Sequence, residues 1–350
     1  MVIAGAIALV GEDLAPLHHS SVLVSDGQIT GLGRVEDIAV DDAEVVHATG
    51  CSLLPGFIDA HVHIGFFEPG RVLRGGVTTV RDLGWPPDVI FPLARRSRDE
   101  RFDGPTIVAA GPMLTAPGGY PTRAAWAPAG TGIEIGDAPA ARAVVRETAA
   151  RGAAIIKVAL EPRVGPVFAP DVLAAIVTEA HAVGLKVTGH VGGLEQLEVA
   201  LDAGIDELAH VPMTSEKLPD EIVARMVDAE MVVVPTLSIF SGDELEGAVE
   251  NLARFLAAGG RVVYGTDLGN EGPQPGIDET EIAALVRAGM TPLEIVATAT
   301  TAAARHLNLD VGVLEPFRRA DMVLVEGDVT RDAKTLTRVV QVWRGGRAVL

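Results

Sequence analysis

Residues 55–63 read PGFIDAHVH, and this stretch predicts a buried strand that carries two histidines, His61 and His63. Because side chains alternate along a strand, residues two positions apart project from the same face and can chelate one ion. Such a pair also arises by chance, as two hydrogen-bonded core histidines. The rest of the chain has to decide between the two interpretations.

Seven more apolar, β-branched runs follow, separated by Ala-, Leu- and Glu-rich helical stretches. With the first run at 56–63, the others span 77–83, 105–111, 154–160, 185–190, 205–210, 231–237 and 261–267. This alternation favours an α/β fold with parallel strands. Eight strand-helix units are the number that closes a (β/α)8, or TIM, barrel.

Both ends of the chain have a different pattern, with short Val- and Ile-rich runs between turn signals such as Asp26-Gly27 and Gly345-Gly346. The sequence therefore predicts a small β-sandwich domain built from both termini, residues 1–53 and 312–350. The barrel domain is predicted to span residues 54–311.

Three stretches between the predicted strands have recognisable features. Gly184 is expected to end a helix over 171–183, and Thr291 with Glu294 is expected to begin the last barrel helix. Residues 112–138 are rich in Pro and Gly and lack periodicity, which is typical of an active-site loop.

Charge and composition exclude several classes of function. The 28 basic and 47 acidic residues give a net charge of −19, which would repel nucleic acid and anionic membrane surfaces. Cys51 is the only cysteine, so an internal disulfide is impossible. No basic residue precedes the apolar opening MVIAGAIALV, which we interpret as a strand, and no run is long enough to span a membrane. We expect a cytoplasmic protein that acts on a small molecule; a homo-oligomer remains open.

Further polar residues are predicted at the ends of later strands. Lys157 lies within the fourth run, and the last residues of the fifth, sixth and eighth runs are His190, His210 and Asp267. Active sites of (β/α)8 barrels lie at the carboxyl ends of the strands, so these groups should converge with His61 and His63. This convergence favours metal ligation over two core histidines.

Lys157 needs a physical argument because a buried ammonium beside two divalent cations would be destabilised by desolvation and by like charge. A neutral amine reacts readily with CO2. The resulting carbamate is an anionic oxygen ligand that can bridge two metals, so we predict N6-carboxylation of Lys157.

The chain resembles the amidohydrolase superfamily, and within it the binuclear prolidase-like and imidazolonepropionase-like groups. The resemblance rests on the motifs PGFIDAHVH, RGGVTTVRDLG, AAIIKVAL, HAVGLKVTGH, GIDELAHV, VVYGTD and RRADMVLVEGD. It implies that His61, His63 and Asp267 bind one metal, that His190 and His210 bind the other, and that carboxylated Lys157 bridges them. Zinc is the first choice for such ligands, with manganese, cobalt or iron as alternatives.

Two metals in such a site would share a hydroxide and polarise a scissile carbonyl, and Asp267 would act first as general base and then as general acid. We expect hydrolysis of a carbon-nitrogen bond, in a dipeptide, an N-acyl amino acid or a cyclic amide. A lactone or ester hydrolase and a ring deaminase on the same site are alternatives. A non-catalytic scaffold would lack the metal ligands.

The loops depart from the prolidase-like pattern where substrate would bind. Tyr120 follows the paired glycines in APGGY, where those relatives often carry a histidine, and EPRVGPVFAP after the fourth strand also differs. Arg123 and Arg163 are candidate clamps for a substrate carboxylate, with a solvated surface role as the alternative. Arg81 and Asp82 are expected to support the barrel through an internal ion pair.

Overall fold

A computed structural model describes residues 1–35 and 44–349. Residues 36–43 and 350, which belong to the predicted terminal domain, lie outside the described residues. The strands are β1 (Val2–Val10), β2 (Ala15–Ser25), β3 (Gln28–Arg34), β4 (Val45–His47), β5 (Cys51–Pro55), β6 (Phe57–Val62), β7 (Val77–Asp82), β8 (Thr106–Ala109), β9 (Met113–Thr115), β10 (Gly132–Glu134), β11 (Ile156–Leu160), β12 (Val187–Val191), β13 (Glu207–Leu208), β14 (Val232–Val233), β15 (Arg261–Val262), β16 (Met322–Glu326), β17 (Val339–Arg344) and β18 (Arg347–Val349).

The helices lie between the strands of the central part of the chain. They are α1 (Pro69–Arg74), α2 (Pro87–Arg96), α3 (Ala138–Ala150), α4 (Pro170–Ala182), α5 (Leu194–Ala203), α6 (Asp220–Asp228), α7 (Gly242–Ala257), α8 (Glu279–Arg287), α9 (Pro292–Ala299) and α10 (Thr301–Leu307). Gly184 follows α4 with φ +78°, and a capping box of Thr291 and Glu294 begins α9, so both predicted helix boundaries are confirmed within a residue or two. No helix in the described part of the chain is long and apolar enough to cross a membrane.

Strands from both termini form one sheet, in the order β18-β17-β16-β5-β1-β2-β3, with β4 paired to β1. Asp26 and Gly27 both have positive φ at the β2–β3 turn, as Gly345 and Gly346 do at the β17–β18 turn, which matches the twist of two-residue hairpins. The N-terminal strands were expected to be antiparallel throughout. Instead β4 and β5 run parallel to β1. Strand β5 lies between β1 and the C-terminal strand β16.

Each of the eight predicted central runs contains a parallel strand. They form a sheet β6-β7-β8 and a sheet β10-β9-β11-β12-β13-β14-β15. Backbone hydrogen bonds also run between the two sheets, from Ala154 to Ala109 (2.9 Å) and from Ala60 to Tyr264 (2.9 Å). Parallel strands alternating with helices in this way fit a TIM barrel.

The segment 112–138 is more ordered than a plain loop, because it contains β9 and β10. Strand β9 pairs with β11, and β10 pairs with β9 on its other side, both in parallel. The remaining residues, 116–131, form the long connection that carries Tyr120 and Arg123 beside the carboxyl ends of the strands.

Candidate active site

Three predicted ligands, His61, His63 and Asp267, form one buried group whose ligand atoms lie within 4.8 Å of one another. The Oδ1 atom of Asp267 is 3.2 Å from Nε2 of His61 and 3.2 Å from Nε2 of His63. Each of these side chains is at most 5% exposed. Two imidazoles and a carboxylate at this spacing are a ligand set for a divalent metal ion.

Backbone carbonyls orient both histidine rings. Nδ1 of His61 lies 2.8 Å from the Ala209 carbonyl oxygen, and Nδ1 of His63 lies 3.0 Å from that of Gly84. A ring that donates from Nδ1 to a carbonyl keeps Nε2 unprotonated and directed at a metal. Burial, with Lys157 and His210 nearby, holds the pKa of His61 well below its usual range, so its ring is neutral, as ligation requires.

The turn after β15 places Asp267 opposite β6. Asp267 has φ +56°, a left-handed conformation that aspartate tolerates better than most residues, and its N–H donates to the His61 carbonyl (2.7 Å). The Asn270 amide donates to Oδ2 of Asp267 (2.5 Å). These contacts leave Oδ1 directed at the two histidines.

Lys157 lies on β11 and is 1% exposed. Its Nζ has no hydrogen-bond partner among the described residues, and neither has Nε2 of His61 or Oδ1 of Asp267. Burial lowers the pKa of Lys157 to about 7, close to the neutral form that the carbamate chemistry needs. A buried polar atom without a hydrogen-bond partner lowers the stability of the fold unless a bound ligand satisfies it. These residues therefore fit a metal centre.

His210 and His190 complete a continuous series of rings. The ring centroids of His61 and His210 are 4.8 Å apart, and those of His210 and His190 are 5.0 Å apart. Nδ1 of His210 pairs with the Thr236 hydroxyl at 2.8 Å. Burial lowers the pKa of both His190 and His210, which favours the neutral imidazole.

A buried carboxylate, Glu161, fixes the other side of His190. Nε2 of His190 is 3.2 Å from Oε2 of Glu161, so a ring that donates there leaves Nδ1 free. Arg163 donates to the same carboxylate from Nε and Nη2, at 2.9 Å each. Burial alone would raise the pKa of Glu161, but hydrogen bonds from Arg163 and His190 hold it well below its usual range.

All six predicted ligands line one cavity of about 340 Å³. The described residues that line it are His61, His63, Met113, Tyr120, Lys157, His190, His210, Met213, Ile239, Phe240, Glu244, Asp267, Asn270 and Glu271. It lies at the carboxyl ends of the central strands, where the sequence predicted it. Its size suits a small-molecule substrate.

A larger cavity of about 590 Å³ lies elsewhere, between α7, β15 and α9, and its lining is mostly apolar. Among the described residues that line it, Glu294 is the ionisable one, and its carboxylate caps its own helix by accepting from the Thr291 N–H. This cavity therefore offers no group for acid-base or metal chemistry.

The three residues expected to bind substrate are placed differently. Tyr120 lines the cavity, with its ring centroid 5.1 Å from that of His190 and 6.1 Å from that of Trp126. Arg163 pairs with Glu161, and the Arg123 guanidinium lies beside Gly118; neither arginine is among the described residues that line the cavity.

Arg81 forms the expected internal ion pair, with Glu207 as its partner. Asp82 has a different role, because it accepts from the N–H groups of Ile64 and Gly84, on either side of His63 in space. Sequence reasoning missed Asp82 as a support of the site, together with Glu161 and Thr236. The available signal was weak: each is a polar residue at or just after a predicted strand end.

Comparison with known proteins identifies the family of the chain. The family model described as "Amidohydrolase family" matches residues 70–349. An uncharacterised Mycobacterium tuberculosis protein is 30% identical over 314 aligned residues, covering 79% of each chain. Aspergillus niger ochratoxinase is 27% identical, covering 97% of this chain and 84% of that protein. A solved Xaa-Pro dipeptidase superposes with a TM-score of 0.82 at 21% identity, covering 99% of this chain and 98% of that one.

The α/β fold and the buried His-His-Asp group, which could hold a metal ion, fit an enzyme of the amidohydrolase type, and the family match covers most of the chain. The chain belongs to the amidohydrolase family.

Proposed function

We propose that this protein is a two-metal hydrolase of carbon-nitrogen bonds in small amides. One observation carries the proposal: six metal-ligating side chains line a single cavity, and three of their buried polar atoms have no partner among the described residues. Relatives named for action on amide-type substrates, ochratoxinase and the enamidase of Eubacterium barkeri, support the carbon-nitrogen bond as the target.

Within this proposal, His61, His63 and Asp267 hold one divalent ion, and His190 and His210 hold the other. Lys157, carboxylated on Nζ, would supply an anionic oxygen ligand to both ions. Zinc is the first choice for this mixture of imidazole and carboxylate ligands. Two such ions supply a lowered pKa for a shared water and polarisation of the substrate carbonyl.

Asp267 is the general base and then the general acid. Asn270 holds Oδ2 and Oδ1 is directed at His61 and His63, so the carboxylate lies where it could accept a proton from the attacking water and later return it to the leaving amine. Asn270 keeps the carboxylate in this orientation. No serine or cysteine nucleophile is required.

The proposal also includes the finer architecture. The eight central strands close one barrel over residues 54–311, and residues 1–53 with 312–350 form a β-sandwich on its side. A cluster of buried apolar residues drawn from the terminal segments, among them Ile3, Leu53 and Trp343, supports this division, while the large barrel cluster also includes Val323 and Leu336 of the C-terminal segment.

The experiment is elemental analysis of metal in protein purified without chelators, for the wild type and for Lys157→Ala. We expect about two ions per chain in the wild type and about one or fewer in the variant, because the bridging ligand is lost. Lys217→Ala, at an exposed lysine, is the matched control and should retain both ions. A wild type with one ion that is indifferent to Lys157→Ala would contradict the two-metal proposal.

A second measurement tests the reaction. A panel of dipeptides, N-acyl amines, cyclic amides and lactones is assayed with the metal-loaded enzyme. We expect turnover of amides; turnover of lactones alone would replace the amide proposal with an ester hydrolase.

A further inference from the structure

We propose that the cavity selects amides whose end at the cavity mouth is uncharged or cationic, and discriminates against amides that carry a carboxylate there. This inference rests on the proposed amide hydrolysis and names its substrate class. It departs from the expectation that Arg123 and Arg163 clamp a substrate carboxylate.

The lining of the cavity divides into a polar floor and an apolar wall. The floor consists of the six buried residues proposed as metal ligands, three of which carry unpartnered atoms. The wall above it is formed by Met113, Tyr120, Met213, Ile239 and Phe240. A substrate held at the floor therefore places aliphatic or aromatic groups against this wall.

The charges at the mouth are acidic. Glu244, in the first turn of α7, and Glu271, four residues after Asp267, are both exposed and both line the cavity. Apart from Lys157 and the histidines, no cationic side chain among the described residues lines it. A carboxylate that reaches the mouth would meet two like charges, and the nearby cation, Arg163, which contacts Met213 of the wall (Nη2 to Sδ, 3.6 Å), is already paired with Glu161.

The Nε–Nη2 edge of Arg163, which would bind a substrate carboxylate through two hydrogen bonds, is already occupied by Glu161. The two groups pair through two parallel hydrogen bonds of 2.9 Å, the geometry in which arginine recognises any carboxylate. The Glu161 side chain is 4% exposed, so releasing Arg163 to a substrate would leave a buried carboxylate without its main partner. A substrate carboxylate cannot compensate for that loss.

Arg123 is the other cation on this side of the molecule. Its guanidinium packs within van der Waals distance of the position a Cβ would take on Gly118, away from the cavity lining. Its field adds to the mouth only from a distance, where solvent and salt screen it.

The test uses three analogues that differ only at the far end. They are the phenylphosphonamidates of 5-aminopentanoate, pentylamine and 1,5-diaminopentane, which end in a carboxylate, a methyl group and an ammonium. Binding to the metal-loaded enzyme is measured by titration calorimetry at low and at physiological salt. Because the analogues are not turned over, the measurement does not depend on catalysis.

We expect the methyl- and ammonium-ended analogues to bind about tenfold or more tightly than the carboxylate-ended one, with a smaller gap at higher salt. In the double variant Glu244→Gln with Glu271→Gln, the difference in affinity between the carboxylate-ended analogue and the other two should shrink several-fold. The affinity for the methyl-ended analogue should stay the same. Glu246→Gln is the matched control, since Glu246 lies on the same helix but pairs with Arg287 away from the cavity.

Tighter binding of the carboxylate-ended analogue, lost in Arg163→Met or in Arg123→Met, would overturn the inference and restore the clamp. Failure of all three analogues to bind would also overturn it. Turnover of the three matching benzamides is measured separately. Selective binding without turnover of any benzamide would uphold the inference and count against the proposed reaction alone.

Discussion

Two buried polar clusters lie inside the central strands, and they differ in whether their polar atoms are paired. In one, Arg81 donates two hydrogen bonds to Glu207 (2.6 and 3.0 Å) and Nε2 of His306 lies 2.6 Å from the same carboxylate. Arg81 also donates from Nε to the Ala60 carbonyl. In the other, His61, Lys157 and Asp267 each retain an unpartnered atom.

This difference separates structure from function better than burial does, because both clusters are buried. A fully paired cluster has nothing left to offer a ligand, whereas unpartnered atoms that converge on one cavity need one. Single unpartnered atoms occur elsewhere, as at Oε1 of Glu281, so convergence is the informative feature. Substitutions in the first cluster should therefore lower the stability of the fold, and substitutions in the second should lower metal binding and activity.

Asp267→Asn should give the largest effect. The amide cannot accept the proton of the attacking water, and loss of a general base lowers turnover by ~10²–10⁴-fold. The unfolding midpoint should change little, because Asn also tolerates the left-handed conformation at this position. Steady-state rates and thermal unfolding are compared with the wild type. Retained activity would contradict the proton-transfer role of Asp267.

Arg81→Met should lower the stability of the fold rather than the activity. It removes the guanidinium that balances the charge of Glu207, which is fully buried, and leaves His306 beside that carboxylate; breaking a buried pair costs about 3–5 kcal/mol of the free energy of unfolding. Arg225→Met, at an exposed pair with Asp202, should cost about 0–1 kcal/mol. Urea unfolding measures both. If Arg81→Met instead removed metal from a fully stable protein, the distinction between the clusters would be wrong.

The sequence predicted the strands and the convergence of the residues of the second cluster because both follow simple periodicities. His61 and His63 share a face through the alternation of a strand, and the carboxyl ends of parallel strands bring His190, His210 and Asp267 to one rim. His61 and His190 lie within strands, whereas His63, His210 and Asp267 lie after strand ends, and Asp267 has a left-handed backbone conformation. The strand pattern was therefore sufficient to bring these residues to one rim.

The mouth of the cavity was less predictable because its conformation depends on contacts between loops. Arg163 could have faced a substrate or solvent, and only the folded loop shows that it pairs with Glu161. The Pro- and Gly-rich segment 112–138 likewise concealed β9, which forms by pairing with the distant β11. Such pairings leave no periodic signal in a short stretch of sequence.

Glu161 should give the smallest effect, because it contacts both His190 of the second cluster and Arg163, its ion-pair partner. We expect Glu161→Gln to weaken the binding of one of the two metal ions by ~10–100-fold, since a neutral amide orients the His190 ring less firmly than a carboxylate does. Chelator competition followed by elemental analysis should show one ion released at lower chelator concentration and the other unchanged. Arg163→Met should have a smaller effect in the same direction, because Glu161 keeps its charge. A variant that unfolds more readily but releases both ions as the wild type does would make Glu161 a structural residue. It would then belong with the cluster of Arg81 and Glu207.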